Sequence, residues 1–305
     1  MRIRTIAAVL GVAALLLSGC GKEGGPAGGG GKDAAAPTDK CQYSEAKFEP
    51  ASDVAVKGSK TFDKISKAGK IVIGIKYDQP NLGYKDTDGD RCGFDIEMAQ
   101  LVATQLGVAT DKIEFREIPS ENRETALQGG DVDLYIGTYS ITPERKQLVG
   151  FAGPYYVAGQ DLMVRKDDTS IKGPEDLKDK TVCSATGSTS IQRIKDEKLA
   201  KKTVEFKTYS ECVSKLIDSE VDAVTTDDAI LLGYAAQAPD QLQVVGNAFS
   251  EERYGVGMTK GDKALCEKVS EIVNTAIDDG TWKTMYDGTL GRSGETAKPP
   301  TLDPC

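Results

Sequence analysis

Short β-branched runs alternate with longer stretches of helical period from Thr61 onward, and this alternation predicts an α/β protein. Two further observations divide it into two lobes. The same strand and helix grammar restarts after residue 160, and a late strand and helix follow the second set. Segments that come after a second lobe pack most economically back on the first. The chain is therefore expected to cross between lobes twice and to hinge at those crossings, near residues 152–159 and 249–255.

The elements follow from local pattern. Ile71–Ile75 (IVIGI) is a continuous apolar run of strand length, hence a buried strand. Residues 95–106 place Ile96, Ala99, Val102, Ala103 and Leu106 on one face and predict an amphipathic helix. A strand (113–118), a helix (122–130) and a strand (132–137) come next. Thr142-Pro143-Glu144 opens another helix, with a hydroxyl to cap it and proline in its first turn. The second set reads as strands over 161–165, 181–184, 204–207 and 222–225, with helices over 188–199 and 212–219. A late strand (255–259) precedes a helix over 263–279 with one apolar stripe of Leu265, Val269, Ile272, Val273 and Ile277.

Composition excludes several classes of function. The chain has 305 residues, 39% hydrophobic and 28% charged, as expected of a soluble globular protein of one large or two ordinary domains. Lys and Arg total 38 against 47 Asp and Glu, and no stretch is basic enough to track a phosphate backbone, so nucleic acid is not an expected partner. There is no histidine, which removes Ser-His-Asp and Cys-His nucleophiles, HExxH zinc sites and haem on histidine. No cofactor is expected.

Arg2 and Arg4 precede an apolar run from Ile6 to Leu17 and then Ser18-Gly19-Cys20, the order of a secretory signal over residues 1–19. Such a run falls short of the roughly 20 residues that span a bilayer as a helix. Leu17-Ser18-Gly19-Cys20 resembles the lipobox of bacterial lipoproteins, which implies lipidation of Cys20, an extracytoplasmic location and anchoring to the cell membrane through acyl chains. Residues 20–40, rich in glycine, read as a flexible linker. Removal of 1–19 takes away Arg2 and Arg4, leaving a more acidic body that stands off an anionic surface.

Apart from Cys20 there are six cysteines, Cys41, Cys92, Cys183, Cys212, Cys266 and Cys305, an even number that reads as three disulfides in an exported protein. The sequence leaves their connectivity open; pairing of neighbours within a lobe would join Cys41 to Cys92, Cys183 to Cys212 and Cys266 to Cys305. Metal ligation lacks both CxxC spacing and histidine. Asp86, Asp88, Asp90 and Glu97 copy EF-hand spacing, but Arg91 stands where the loop needs glycine, and a hairpin turn at Asp88-Gly89 is the better reading.

From about residue 61 to 292 the chain resembles the extracytoplasmic solute-binding proteins of polar amino-acid ABC importers (family 3). The matching pieces are GFDIEMAQ from Gly93, SENRETALQGGDVDL from Ser120, SITPER from Ser140, FAGPYY from Phe151, ATGSTS from Ala185 and VDAVTTDDAILLG from Val221. KYDQPNLGY from Lys76, together with the lipobox, is similar to actinobacterial glutamate-binding lipoproteins. The resemblance implies a type II periplasmic-binding-protein fold with the ligand in the cleft between lobes: residues 41–153 and 249–305 in lobe 1, residues 154–248 in lobe 2. It also implies a monomer that closes on an amino acid and presents it to a membrane permease.

By the same resemblance Arg145 clamps the ligand α-carboxylate, a task suited to a planar guanidinium, with Thr138 and Ser140 offering hydroxyl and backbone contacts. Ser188 and Thr189, in a Gly-Ser-Thr turn that opens a helix, offer free N–H groups to that carboxylate. Asp227 takes the ammonium, and Asp228 reads as a structural or hinge-side charge. Lys76, Ser120 and Arg123 read the ligand side chain, and two cations there imply an acid, L-glutamate and also L-aspartate. An amide would forfeit a charge-assisted hydrogen bond worth roughly 1.5 to 3 kcal/mol, or about ten- to hundred-fold in affinity. Lysine stands at 76 where the matching motif leads one to expect arginine, so glutamine and asparagine stay open. Tyr77, Tyr84, Tyr139 and Tyr155 are candidates for an aromatic wall or for packing. The competing readings are a ligand sensor for a membrane kinase and a dehydratase on the same scaffold.

Overall fold

The computed structural model describes residues 40–294 and 296–305. The signal segment, Cys20 and all of the linker but Lys40 lie outside the described residues. The strands are β1 (Ile71–Ile75), β2 (Asp78–Gln79), β3 (Gly83–Lys85), β4 (Arg91–Cys92), β5 (Ile113–Glu117), β6 (Leu134–Tyr135), β7 (Gly150–Ala158), β8 (Gln160–Arg165), β9 (Thr181–Ala185), β10 (Lys202–Phe206), β11 (Ala223–Asp227), β12 (Leu242–Val244) and β13 (Glu252–Met258). The helices are α1 (Lys60–Ala68), α2 (Phe94–Gln105), α3 (Arg123–Gly129), α4 (Pro143–Lys146), α5 (Thr189–Asp196), α6 (Tyr209–Ile217), α7 (Asp228–Gln237), α8 (Lys263–Asp278) and α9 (Thr281–Gly288).

Two five-stranded sheets, ordered β5-β1-β6-β13-β7 and β10-β9-β11-β8-β12, give a two-lobed α/β molecule. In each, three parallel strands are followed on one side by a strand that runs against them, β13 or β8, and then by an edge strand, β7 or β12, that runs with them. The chain leaves the first sheet at the end of β7 and enters the second at β8 with only Gly159 between. A side chain does not fit there, because a Cβ on Gly159 would lie 2.7 Å from the Ala248 Cβ and 2.8 Å from the Ser250 carbonyl oxygen. Asp228 ties this crossing: its N–H donates to the Gly159 carbonyl at 2.8 Å, and its carboxylate accepts from the Gly159 N–H at 3.2 Å.

The elements differ from the sequence pattern in instructive ways. Helix α2 is not amphipathic: Asp95 and Glu97 are buried with its apolar residues, since it packs on β1, β3 and β4 and also on α8 and α9. Its buried acids find donors, Asp95 from Tyr155 Oη (2.7 Å) and the Thr138 N–H (2.9 Å), Glu97 from the Ser44 N–H (2.7 Å) and Oγ (2.6 Å). Helix α6 starts at Tyr209 instead of Cys212, because Thr208 and Glu211 form a reciprocal capping box. Helix α7 has no hydrophobic period to betray it, being apolar on nearly every side. Strand pairing in β6 covers Leu134–Tyr135, shorter than the expected 132–137.

Disulfides join Cys41 to Cys92, Cys183 to Cys212 and Cys266 to Cys305. The acidic loop after β3 is a hairpin in which Asp86 accepts the N–H groups of Asp88 (3.0 Å) and Asp90 (2.9 Å), while Glu97 faces Ser44. At Gly93, φ is +110° and a Cβ would fall 2.3 Å from the Leu82 carbonyl oxygen. Gly93→Ala is therefore expected to cost about 2 kcal/mol or more, a fall of roughly 4 to 8 °C in melting temperature. Calorimetric unfolding at the wild-type temperature would contradict this.

Candidate functional site

Four of the expected residues sit on the first lobe where strands end and helices begin. Lys76 follows β1 and is buried, its Nζ donating to Ser120 Oγ at 2.7 Å. Ser120 opens a single 3₁₀ turn, and Arg123 is the first residue of α3. Arg145 lies in α4, where Thr142 caps and Pro143 occupies the first turn as the sequence implies. Lys76, Arg123 and Arg145 are all buried.

A single carboxylate holds the two guanidiniums. Glu124 lies 3.2 Å from Arg145 Nε and 3.6 Å from Arg123 Nε, and it accepts Tyr139 Oη at 2.8 Å. The Tyr139 ring lies beneath both cations, 4.3 Å from the Arg123 guanidinium carbon and 5.2 Å from that of Arg145. Tyr139 is thus a platform for the arginines, and Tyr155 is packing, bonded to Asp95 and set against Phe94 and Tyr254. Tyr77 and Tyr84 are half-buried.

The second lobe meets these cations directly. Arg123 Nη2 and Arg145 Nη2 both donate to the Gly187 carbonyl at 3.2 Å, and Arg145 Nη1 donates to the Ser140 carbonyl at 2.8 Å. Ser188 caps α5 through the Ile191 N–H (3.1 Å). Thr189 and Ser190, the next residues, each reach a different buried carboxylate: Thr189 Oγ1 donates to Glu252 at 2.9 Å and Ser190 Oγ to Asp227 at 3.5 Å. Tyr254 Oη donates to Asp227 at 2.6 Å. Thr138 sits apart from the arginines, its φ of +46° turning its N–H to Asp95 and its hydroxyl to Gln79 Oε1 (3.2 Å).

The cleft is bipolar. Lys76, Arg123 and Arg145 outnumber Glu124 and Asp78 on one wall, and Asp227 and Glu252 place two buried carboxyl groups at the other. Of these acids the sequence pattern points only to Asp227. Glu124 and Glu252 carry no such signal, because nothing local distinguishes a half-buried acid in a helix or a buried one at a strand start from a solvated one. Burial pushes the Lys76 ammonium down to about 7, with the Arg123 and Arg145 charges adding to the effect and Asp78 opposing it. Burial also pushes the Asp227 carboxyl up to about 8, reinforced by Glu252 and opposed by the Tyr254 hydrogen bond. Arg145 is lowered to about 10, by burial and then by Arg123.

Such a cleft, with cationic groups on one wall and carboxyl groups on the other, defines a receptor for a small zwitterionic solute. The chain matches the model of the bacterial extracellular solute-binding proteins, family 3, over residues 71–291, and it belongs to that family, the solute receptors of amino-acid ABC importers. It is 39% identical over 240 residues to the glutamate-binding protein GluB of Corynebacterium efficiens, a match covering 75% of this chain and 82% of that one. It is 40% identical over 215 residues to a glutamine-binding protein of Geobacillus stearothermophilus, covering 70% and 81%. Among solved structures, an ancestral arginine-binding protein bound to glutamine is similar at 38% identity and a TM-score of 0.69, covering 73% of this chain and 98% of that one. No helix among the described residues is long and apolar enough to cross a membrane.

The shifted groups give stability a pH dependence of known sign. Between pH 7 and 10.5 the unfolded chain retains the Lys76 proton that the folded one has released, so its contribution to stability rises with pH across that window. Asp227 has the opposite sign: the folded protein holds its proton between pH 3.8 and 8, and stability falls as pH rises through that range. Lys76→Met should stabilise the ligand-free protein below pH 7 by about 1 kcal/mol or more and flatten the alkaline rise. Chemical denaturation across pH checks this; a variant curve parallel to the wild type would contradict it.

Proposed function

We propose that the protein is the substrate-binding lipoprotein of an ABC importer, tethered through Cys20, acting as a monomer that captures L-glutamate, and also L-aspartate, and presents the closed form to a membrane permease. The observation that carries this reading is the surplus of buried positive charge on the wall formed by Lys76, Arg123 and Arg145. Three basic side chains that outnumber Glu124 and Asp78 are costly to bury without a further anion. A dicarboxylic amino acid offers two carboxylates to that wall and an ammonium to Asp227.

In this reading Arg145 exchanges the Gly187 carbonyl for the ligand α-carboxylate, which also meets the start of α5 at Ser188 and Thr189. Ser140 and Thr138 border the amino group, and Arg123, Lys76 and Ser120 take the distal carboxylate. Closure is a population shift driven by contacts that the ligand makes to both lobes at once. The relatives that share most of the chain's length are named as binding proteins, which supports capture without turnover.

A glutamine receptor is the second reading, favoured by the Lys76 ammonium lying near 7, since an uncharged lysine accepts an amide more readily. Substitution separates the roles. Arg145→Ala should abolish calorimetric binding of glutamate, aspartate, glutamine and asparagine alike, and retained affinity for any of them would remove Arg145 from the site. Arg123→Ala should shrink the preference for acid over amide by about ten- to hundred-fold, the worth of one charge-assisted hydrogen bond. An unaltered ratio would take Arg123 away from the distal group.

A further inference from the structure

The lobes also meet at a place that no proposed ligand contact shares. Asp78, in β2 of the first lobe, turns its carboxylate to the second lobe. Its Oδ2 accepts the backbone N–H of Tyr209 at 2.9 Å and of Ser210 at 3.2 Å, the first two residues of α6. It also accepts Tyr234 Oη, from α7, at 3.1 Å, and that hydroxyl bonds the Asp78 carbonyl as well. The amides of a helix's first turn have no partner within the helix. Here Thr208 Oγ1 takes that of Glu211, and Asp78 takes those of Tyr209 and Ser210. A carboxylate at this end also suits the helix dipole. Separation of the lobes would hand these groups back to water.

Beside this contact the two lobes approach as closely as backbone allows. A Cβ on Gly233, in α7, would lie 2.6 Å from the carbonyl oxygen of Pro80. The glycine is helical and has no left-handed φ, so its role is to admit the opposite lobe.

We propose that Asp78, Gly233 and Tyr234 are affinity-determining positions that act through closure. The inference rests on the reading of this chain as an amino-acid receptor and adds a second determinant to it. A contact made only when the lobes are together raises the closed population, and apparent affinity scales with the population competent to bind. Its contribution is therefore the same factor for every ligand, whereas Lys76 and Arg123 act on the ratio between ligands.

Gly233→Ala and Tyr234→Phe test this without altering the charges around Lys76. Alanine is a better helix former than glycine, so α7 itself is not weakened. Titration of each variant with L-glutamate and with L-glutamine should show both affinities lowered by a common factor, about tenfold for Gly233→Ala, with faster ligand dissociation. The glutamate to glutamine ratio should stay at its wild-type value, and the ligand-free melting temperature of Gly233→Ala should not fall. Unchanged affinities, or a loss confined to one ligand, would overturn the proposal. If the wild type binds neither amino acid, the receptor reading fails separately, and small-angle scattering of the ligand-free proteins then decides. A larger radius of gyration in Gly233→Ala supports the latch, and an equal one overturns it.

Discussion

The structure depends on how three cations are kept together away from water. Arg123 opens α3, where the dipole disfavours positive charge, Arg145 lies in the single turn of α4, and Lys76 is buried beside them. Glu124 and the face of Tyr139 hold the guanidiniums and Asp78 faces Lys76, yet two carboxylates do not balance three basic side chains. Burial, and after it the Arg123 charge, lowers the Lys76 ammonium to about 7. The Gly187 carbonyl, carried by the opposite lobe, completes the coordination of both arginines and couples the state of this wall to closure.

The opposite wall complements it. Asp227 ends β11 and Glu252 opens β13, the strand that returns from the second sheet to the first, and consecutive residues at the start of α5 donate to the two carboxylates. In the proposed reading one wall takes carboxylate and the other ammonium, and β7, β8 and β13 carry the chain between them. The C-terminal segment braces β13 and β7, with Asp303 bonded to Arg253 at 2.8 Å and, through its N–H, to the Gly153 carbonyl at 2.6 Å. Gly159 and Asp228 fix where the chain bends.

Much of this was legible in the sequence where the signal is local. The apolar run of β1, the Thr142 cap with Pro143 and the even set of cysteines each report one segment's chemistry, and each has its counterpart in the structure. The gaps have two causes. Helix α7 and the buried flank of α2 lack a polar face, so periodicity does not reveal their surroundings. The partners of Asp78, Glu124 and Glu252 arise from tertiary contact: Asp78 and Tyr209 are 131 residues apart, and no spacing rule connects them. The capping box of Thr208 and Glu211 was a local signal that the pattern of apolar residues obscured.

The central claim is that surplus buried positive charge selects an acidic ligand. Its most direct test is calorimetric titration of the purified protein at neutral pH with L-glutamate and L-glutamine side by side. The account predicts stoichiometric binding of glutamate and at least about tenfold weaker binding of glutamine. Glutamine bound as tightly as glutamate, or more tightly, would contradict it.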